Sequence, residues 1–229
     1  MKTKRNYMLP LTTLHLTVEE KAKILSQFII FEGISVEEIR KFAEKMYPKV
    51  FRPMEIFVEE GLATSEAYFI YKGAVSIFRM TQEGKIINID LEGAPEVVGE
   101  LSLIDSNPSP VNAMAIEETY ALVLTQYDFR ELINVNPTIA LKLLKVFSTR
   151  IRNFDSFLEH LLSHNLYERT WYMLQHLGSY FPNKEITLSQ EQLDDLIWGT
   201  RSRITEVLTR LEKEGKIKVS RRKVTLLEE

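Results

Sequence analysis

Six basic side chains near the end of the chain have the types and spacing to hold phosphate and read base edges. Arg201, Arg203 and Arg210 fall on one predicted helix, and Arg221, Arg222 and Lys223 are consecutive in a predicted turn. A guanidinium can bond guanine at two points, so Arg201, at the head of the helix, is the candidate for a base edge. Arg203, Arg210 and the three turn residues suit phosphates, which fix register without reading sequence. Thr200, Ser202, Thr205 and Glu206 stand beside Arg201. Glu206 has two readings: acceptor from a cytosine amino group, or partner of Arg210 on its own face. Any one of these cations is equally well a solvated surface charge, but together they point to a duplex. Residues 199–227 hold nine Lys/Arg against three Glu, in a chain whose formal net charge is −3. A basic end on an acidic body is the asymmetry expected where one face meets nucleic acid.

The elements that must position these residues are legible in ITLSQEQLDDLIWGTRSRITEVLTRLEKEGKIKVSRRKVTLLEE. Ser189 with Gln192 is an N-cap signature. Leu193, Leu196 and Ile197 make one apolar face, and Trp198-Gly199 breaks the helix. Thr200 can cap the next helix, in which Ile204, Val207, Leu208 and Leu211 share a face until Gly215. Ile217 and Val219, then Val224 and Leu226, form two short strands around the basic turn. Two helices across a tight turn, followed by a basic hairpin, describe a winged helix-turn-helix.

Upstream, residues 137–164 form the longest predicted helix. Leu144, Phe147, Ile151, Phe154, Leu158 and Leu161 alternate three and four residues apart, a seam of period 3.5. The seam predicts a parallel helix pair joining two subunits; packing of the helix on its own domain is the competing reading. Ala140, Leu143 and Val146 lie on other faces and are expected to touch the preceding domain.

That domain, about residues 48–127, reads as short strands with Gly61, Gly73, Gly84 and Gly93 at the breaks. EVVGELSLI and NAMAIEETYALVLT are included among the strands. No helix of crossover length lies between them, so a sandwich or barrel is expected rather than parallel βαβ units. Short helices at VEEKAKILSQF and ISVEEIRKFAEKM precede it, the second with the Ser35/Glu38 capping pattern. YDFRELINVNP is a helix stopped by Pro137, LYERTWYMLQHLGSYF another helix, and residues 182–185 a loop or turn.

The chain has no cysteine and four histidines. Disulfides, cysteine-held clusters and thiol switches are excluded, and no metal site is expected. No Ser-His-Asp order, metal-ligand cluster or phosphate-cradling glycine loop is apparent, so the chain reads as a binding protein and not an enzyme. No apolar run is long enough to span a bilayer, and the N-terminus lacks a signal peptide's apolar core. The chain reads as cytoplasmic, with no membrane partner.

With these motifs in order, the sequence resembles the cyclic-AMP receptor/FNR (Crp/Fnr) superfamily of bacterial regulators over about residues 25–227. The carrying segments are EGLATSEAYFIYKGAVSIF, VVGELSLIDSNPSPVNAMAIEETYALVLTQYDF and LSQEQLDDLI…TRSRITEVLTRLEKEGKI. Gly73 matches a turn glycine of the family's β-roll, and Gly99-Glu100-Leu101 the opening of its phosphate-binding cassette. The resemblance implies an α+β fold: an N-terminal double-stranded β-helix (β-roll) sensor domain, a long dimerisation helix and a C-terminal winged helix-turn-helix. The expected boundaries are 1–25 for a tail and short helix, 26–136 for the roll, 137–165 for the dimerisation helix and 166–229 for the DNA-binding domain. Double-stranded DNA and a second copy of the chain are the implied partners, with RNA polymerase a further candidate.

The departures bear on the effector. Where cyclic-nucleotide binders place an arginine for the cyclic phosphate, this chain has Ser109, and Pro110 follows with no N–H to donate. The polar pair that meets adenine falls at Phe154-Asp155. An effector pocket is expected around Gly99, Glu100, Leu101, Ser102, Ser109, Val111, Phe154 and Asp155. Cyclic AMP bound in the usual way is disfavoured. An uncharged or differently charged effector remains, or none at all, and no cofactor is evident. Glu100 either meets a ligand hydroxyl or only caps the turn Leu101–Ile104.

Overall fold

The structure, a computed structural model, describes residues 15–81, 86–163, 165–179, 181–188, 190–197, 199–221 and 223–227. At residues 157, 161, 163, 182, 190–192 and 195 it describes the backbone alone. Ser189, Trp198 and Arg222, for which the sequence predicts a cap, a helix break and a phosphate contact, lie outside the described residues, as does the side chain of Leu161.

Helices α1 (Val18–Leu25) and α2 (Val36–Lys45) both start on reciprocal caps. Thr17 Oγ accepts from the Glu20 amide at 3.2 Å and Ser35 Oγ from the Glu38 amide at 3.3 Å, and each glutamate answers the cap's own amide. Strands β1 (Tyr47–Phe51), β2 (Ile56–Val58), β3 (Glu66–Lys72), β4 (Ala74–Met80), β5 (Ile86–Gly93) and β6 (Glu96–Val98) follow. Then come helix α3 (Glu100–Asp105) and strands β7 (Asn112–Ala115) and β8 (Thr119–Thr125). They make two four-stranded antiparallel sheets, ordered β1-β8-β3-β6 and β2-β7-β4-β5.

Side-chain alternation sets what each sheet face covers. On β3, Tyr68 and Ile70 point between the sheets, with Val75 and Ala113 of the facing sheet. Ala67 and Phe69 point the other way, onto a helical layer holding Phe28, Phe31, Phe42 and Phe129. On β8, Ala121 and Val123 face inward while Leu122 and Leu124 join the helical layer. Strands buried on both faces read as unbroken apolar runs, as AYFIY and ALVL do. Between β3 and β4, Gly73 holds φ at +96°, and a Cβ there would lie 2.8 Å from the Cα of Thr119. Only glycine tolerates both constraints.

Two predicted strands are corrected. EVVGELSLI is a strand only over Glu96–Val98: Gly99 turns left-handed at φ +87° and Glu100–Asp105 is helical. NAMAIEETYALVLT is two strands, broken at residues 116–118 where the chain passes from one sheet to the other.

Helix α4 (Gln126–Val135) is capped by Thr125, and Pro137 opens α5 (Pro137–Ser163). Proline is suited to a first helical turn, where its missing N–H would have no partner. Ile139 and Leu143 bury one flank of α5 in the helical layer, and Val146 packs against it. Then follow α6 (Leu166–Gly178), β9 (Glu185–Ile186), α7 (Gln190–Ile197), α8 (Arg201–Lys213), β10 (Ile217–Ser220) and β11 (Lys223–Leu226). Residues 182–185 are more than a loop: a 3₁₀ turn covers Pro182–Lys184, and Glu185 enters β9, completing a three-stranded sheet β10-β11-β9. Leu174, Leu177, Leu193, Ile204, Leu208 and Val224 share its core. Among the described residues no helix is long and apolar enough to cross a membrane.

Candidate effector cavity and nucleic-acid interface

A cavity of about 210 Å3 opens in the roll beside α3 and α5. Gly99, Glu100, Leu101, Ser102, Ser109, Val111 and Phe154 all line it. Asp155 does not: it is exposed on the neighbouring face of α5, one residue and so about 100° away from Phe154. Sequence reasoning did not single out Asp90, Glu92 and Arg150, which also reach the lining.

Arg150 enters the roll from α5. Its Nη1 donates to Glu100 Oε1 at 2.6 Å, and its Nη2 to Glu96 Oε1 at 2.6 Å and to the Val97 carbonyl at 2.8 Å. Its Nε lies 3.4 Å from Glu92 Oε1, is buried, and makes no hydrogen bond. Burial works against the guanidinium charge, but Glu100, Glu92 and Glu96 outweigh it and raise its pKa. Burial pushes Glu92 well above the usual carboxylate range; Arg150 opposes this, while Glu96, Asp90 and Glu100 add to it. Burial also raises Glu100, again against Arg150. Glu100 is therefore not merely a turn cap: it begins α3 and holds the long helix to the roll.

The cassette loop is closed on itself. Ser109 Oγ donates to the Val111 carbonyl at 2.7 Å, and the Ser109 amide to the Leu62 carbonyl at 2.9 Å. Pro110, on the cavity wall, has no N–H.

A smaller cavity of about 50 Å3 lies between β5, α5 and α6. Ile89, Asp90, Arg150 and Phe154 line both cavities. Here His176 Nε2 of α6 stands 3.3 Å from Asp90 Oδ1, and Leu91 of β5 joins the core of the C-terminal domain.

Along α5 the predicted seam divides. Leu144 (59% exposed), Ile151 (62%) and Phe154 (49%) are open on the single chain, and Leu158 is half-buried. Phe147 is half-buried and packs against the helical layer of its own chain.

In α8, burial of Ile204, Leu208 and Leu211 leaves Arg201, Ser202, Arg203, Thr205, Glu206 and Arg210 exposed. The guanidinium groups of Arg201 and Arg203 have no hydrogen-bond or ion-pair partner among the described residues. Thr205 Oγ donates to the Arg201 carbonyl at 2.8 Å, leaving its lone pairs outward. Thr200 holds the N-cap position without a side-chain cap bond, contrary to expectation. Glu206 does not take Arg210. Arg210 Nε bonds Glu214 at 2.9 Å, and its guanidinium lies 4.4 Å from the Tyr167 ring centre. The Tyr167 hydroxyl, helped by Arg210 and Lys216, holds Glu214 down to about 2. In the wing, Arg221 is exposed, while Lys223 Nζ pairs with Glu185 at 2.6 Å. The arginines at the head of α8 are thus open, and Arg210 and Lys223 are held.

The roll over residues 48–136 matches the cyclic nucleotide-binding domain family. Fold and cavity together define a sensor-type roll joined to a winged helix-turn-helix. The cyclic AMP receptor protein of Thermus thermophilus is 29% identical over 214 residues, which cover 87% of this chain and 95% of that protein. A CRP-like cAMP-activated global transcriptional regulator of Mycobacterium tuberculosis is 26% identical over 211 residues, covering 89% and 94%. The c-di-GMP responsive global regulator CLP of Xanthomonas campestris has the same fold, with a TM-score of 0.70 at 18% identity, covering 85% of this chain and all of that one. Over most of its length the chain is thus similar to transcription regulators of the Crp/Fnr superfamily, and its roll carries the cyclic nucleotide-binding domain.

Proposed function

We propose that the chain binds DNA sequence-specifically as a homodimer on a pseudo-palindromic operator, under control of a small effector other than cyclic AMP. The observation that carries the DNA reading is the outward face of α8, where Arg201 and Arg203 are exposed and unpaired beside Ser202 and Thr205. Arg201 reads a base edge; Arg203 and Arg221 hold phosphates. Leu144, Ile151 and Phe154 supply the dimer face, which sets the two recognition helices about one turn of duplex apart.

Cyclic AMP fits poorly with the cavity's chemistry. Ser109 is spent inside its loop, Pro110 offers no amide, and the one lining cation is clamped by carboxylates. Control passes through shared walls: a ligand that moves Asp90, Arg150 or Phe154 in the roll also moves the junction with α6. Only a ligand that prefers one arrangement shifts the balance. The Arg150 clamp supports a second reading, constitutive DNA binding, because the chain's own carboxylates join α5 to the roll.

The test is a genome-wide footprint followed by anisotropy titration of the recovered operator with the full chain. Saturable binding to a two-fold motif, weakened by cyclic AMP-independent metabolite pools, upholds the reading. An affinity that is the same for random DNA and insensitive to Arg201→Ala overturns it.

A further inference from the structure

The walls of the 210 Å3 cavity are mainly apolar, among them Val58, Ile77, Ile89 and Val111. Its charges are unbalanced: Asp90, Glu92 and Glu100 reach the lining against Arg150 alone. Arg150 commits its terminal nitrogens to Glu100, Glu96 and the Val97 carbonyl. Asp90 accepts from the Leu91 amide at 2.8 Å and faces His176. Glu92 is left over. It is 8% exposed, and among the described residues it makes no hydrogen bond. Its single partner is the Arg150 Nε at 3.4 Å, which itself has no hydrogen bond. A buried carboxylate in that position is costly unless something donates to it.

Resting on the reading of this cavity as the effector site, we propose that it binds a small organic cation, a primary ammonium on an apolar body, with the ammonium donating to Glu92. An anion meets Asp90, Glu92 and Glu100, and the one cation on the lining is already held by carboxylates. A neutral ligand leaves the Glu92 charge unanswered. The Phe154 ring on the wall favours a cation as well. The volume suits a single ring with a short arm, since an apolar cavity of about 150 Å3 already admits benzene. The groups facing Glu92 are Arg150 from α5, Asp90 from its own strand, Glu96 from β6 and Glu100 from α3. Burial and the three carboxylates raise the Glu92 pKa, against Arg150. A cation beside Glu92 favours its charged form, so binding strengthens as pH rises through its titration.

Calorimetric titration of the full chain with benzylamine, benzyl alcohol and benzoate tests this. Benzylamine is expected to bind at least about tenfold more tightly than the alcohol, and benzoate not to bind. Glu92→Gln is expected to abolish the preference for the amine. In the unaltered protein, affinity for benzylamine is expected to rise with pH through the Glu92 titration, by up to about tenfold per pH unit, with a proton released. Absence of amine binding, equal binding of amine and alcohol, or a flat pH profile overturns the proposal. Operator affinity is read separately. Benzylamine that binds with this pH profile but leaves operator affinity unchanged upholds the cation site and removes its effector role. An operator response to cyclic AMP in a protein blind to benzylamine does the reverse.

Discussion

Arg150 and Glu100, fifty positions apart, meet at 2.6 Å where the long helix crosses the roll. The contact is one arm of a three-carboxylate clamp, and removing its centre leaves like charges facing one another in a poorly hydrated site. Arg150→Met is expected to cost about 3 kcal/mol near neutral pH, the low end for a broken buried pair because the side chain is partly open. The loss should shrink as pH falls and the carboxylates protonate. Urea unfolding at two pH values measures it; an unchanged midpoint at both would remove the clamp from the fold's stability.

Glu92 carries a second expectation. Its pKa is raised on folding, so the stability it contributes is complete below the unfolded value and is lost as pH rises through the folded one. The ligand-free protein should therefore lose stability on the alkaline side. Glu92→Gln, which stays neutral, should flatten that slope. Melting temperatures across a pH series give the comparison, and parallel curves for the two proteins would count against it.

At the duplex, Arg201→Ala and Arg203→Ala should fail differently. The first is expected to cost about 1–3 kcal/mol on the preferred operator and to relax one base position. The second should weaken binding to all sequences and lower the salt-dependence slope by about one. Anisotropy titrations over a salt series separate them; identical signatures would deny Arg201 its reading role.

The exposed flank of α5 gives a fourth. Leu144→Glu with Ile151→Glu is expected to yield monomers with an unchanged far-ultraviolet spectrum, because both side chains are open on the single chain. Analytical ultracentrifugation decides, and a dimer that survives both changes would move the interface elsewhere.

The sequence carried most where pattern is local. The apolar runs of β3 and β8 and the apolar face of α8 are visible in short windows, and the structure buries those side chains. Seven of the eight residues expected at the cavity surround it, because the cassette is itself nearly contiguous. What stayed hidden depends on distance. Arg150 sits in a helix among other basic residues, and nothing nearby marks it for Glu96 on β6 and Glu100 on α3. Glu92 looks like an exposed strand residue until the two sheets and α5 close over it. Phe147 keeps the seam's spacing and also packs on the helical layer of its own chain. Period alone does not tell one apolar neighbour from another.

The Phe154 ring closes two voids at once, one inside the roll and one beneath the C-terminal domain. Its bulk is therefore not free to drift. Trimming it to admit a larger molecule is expected to loosen the packing of α5 against α6 as well, and enlarging it to do the opposite on both sides. The room inside the roll and the fit between roll and C-terminal domain are bound to the same codon.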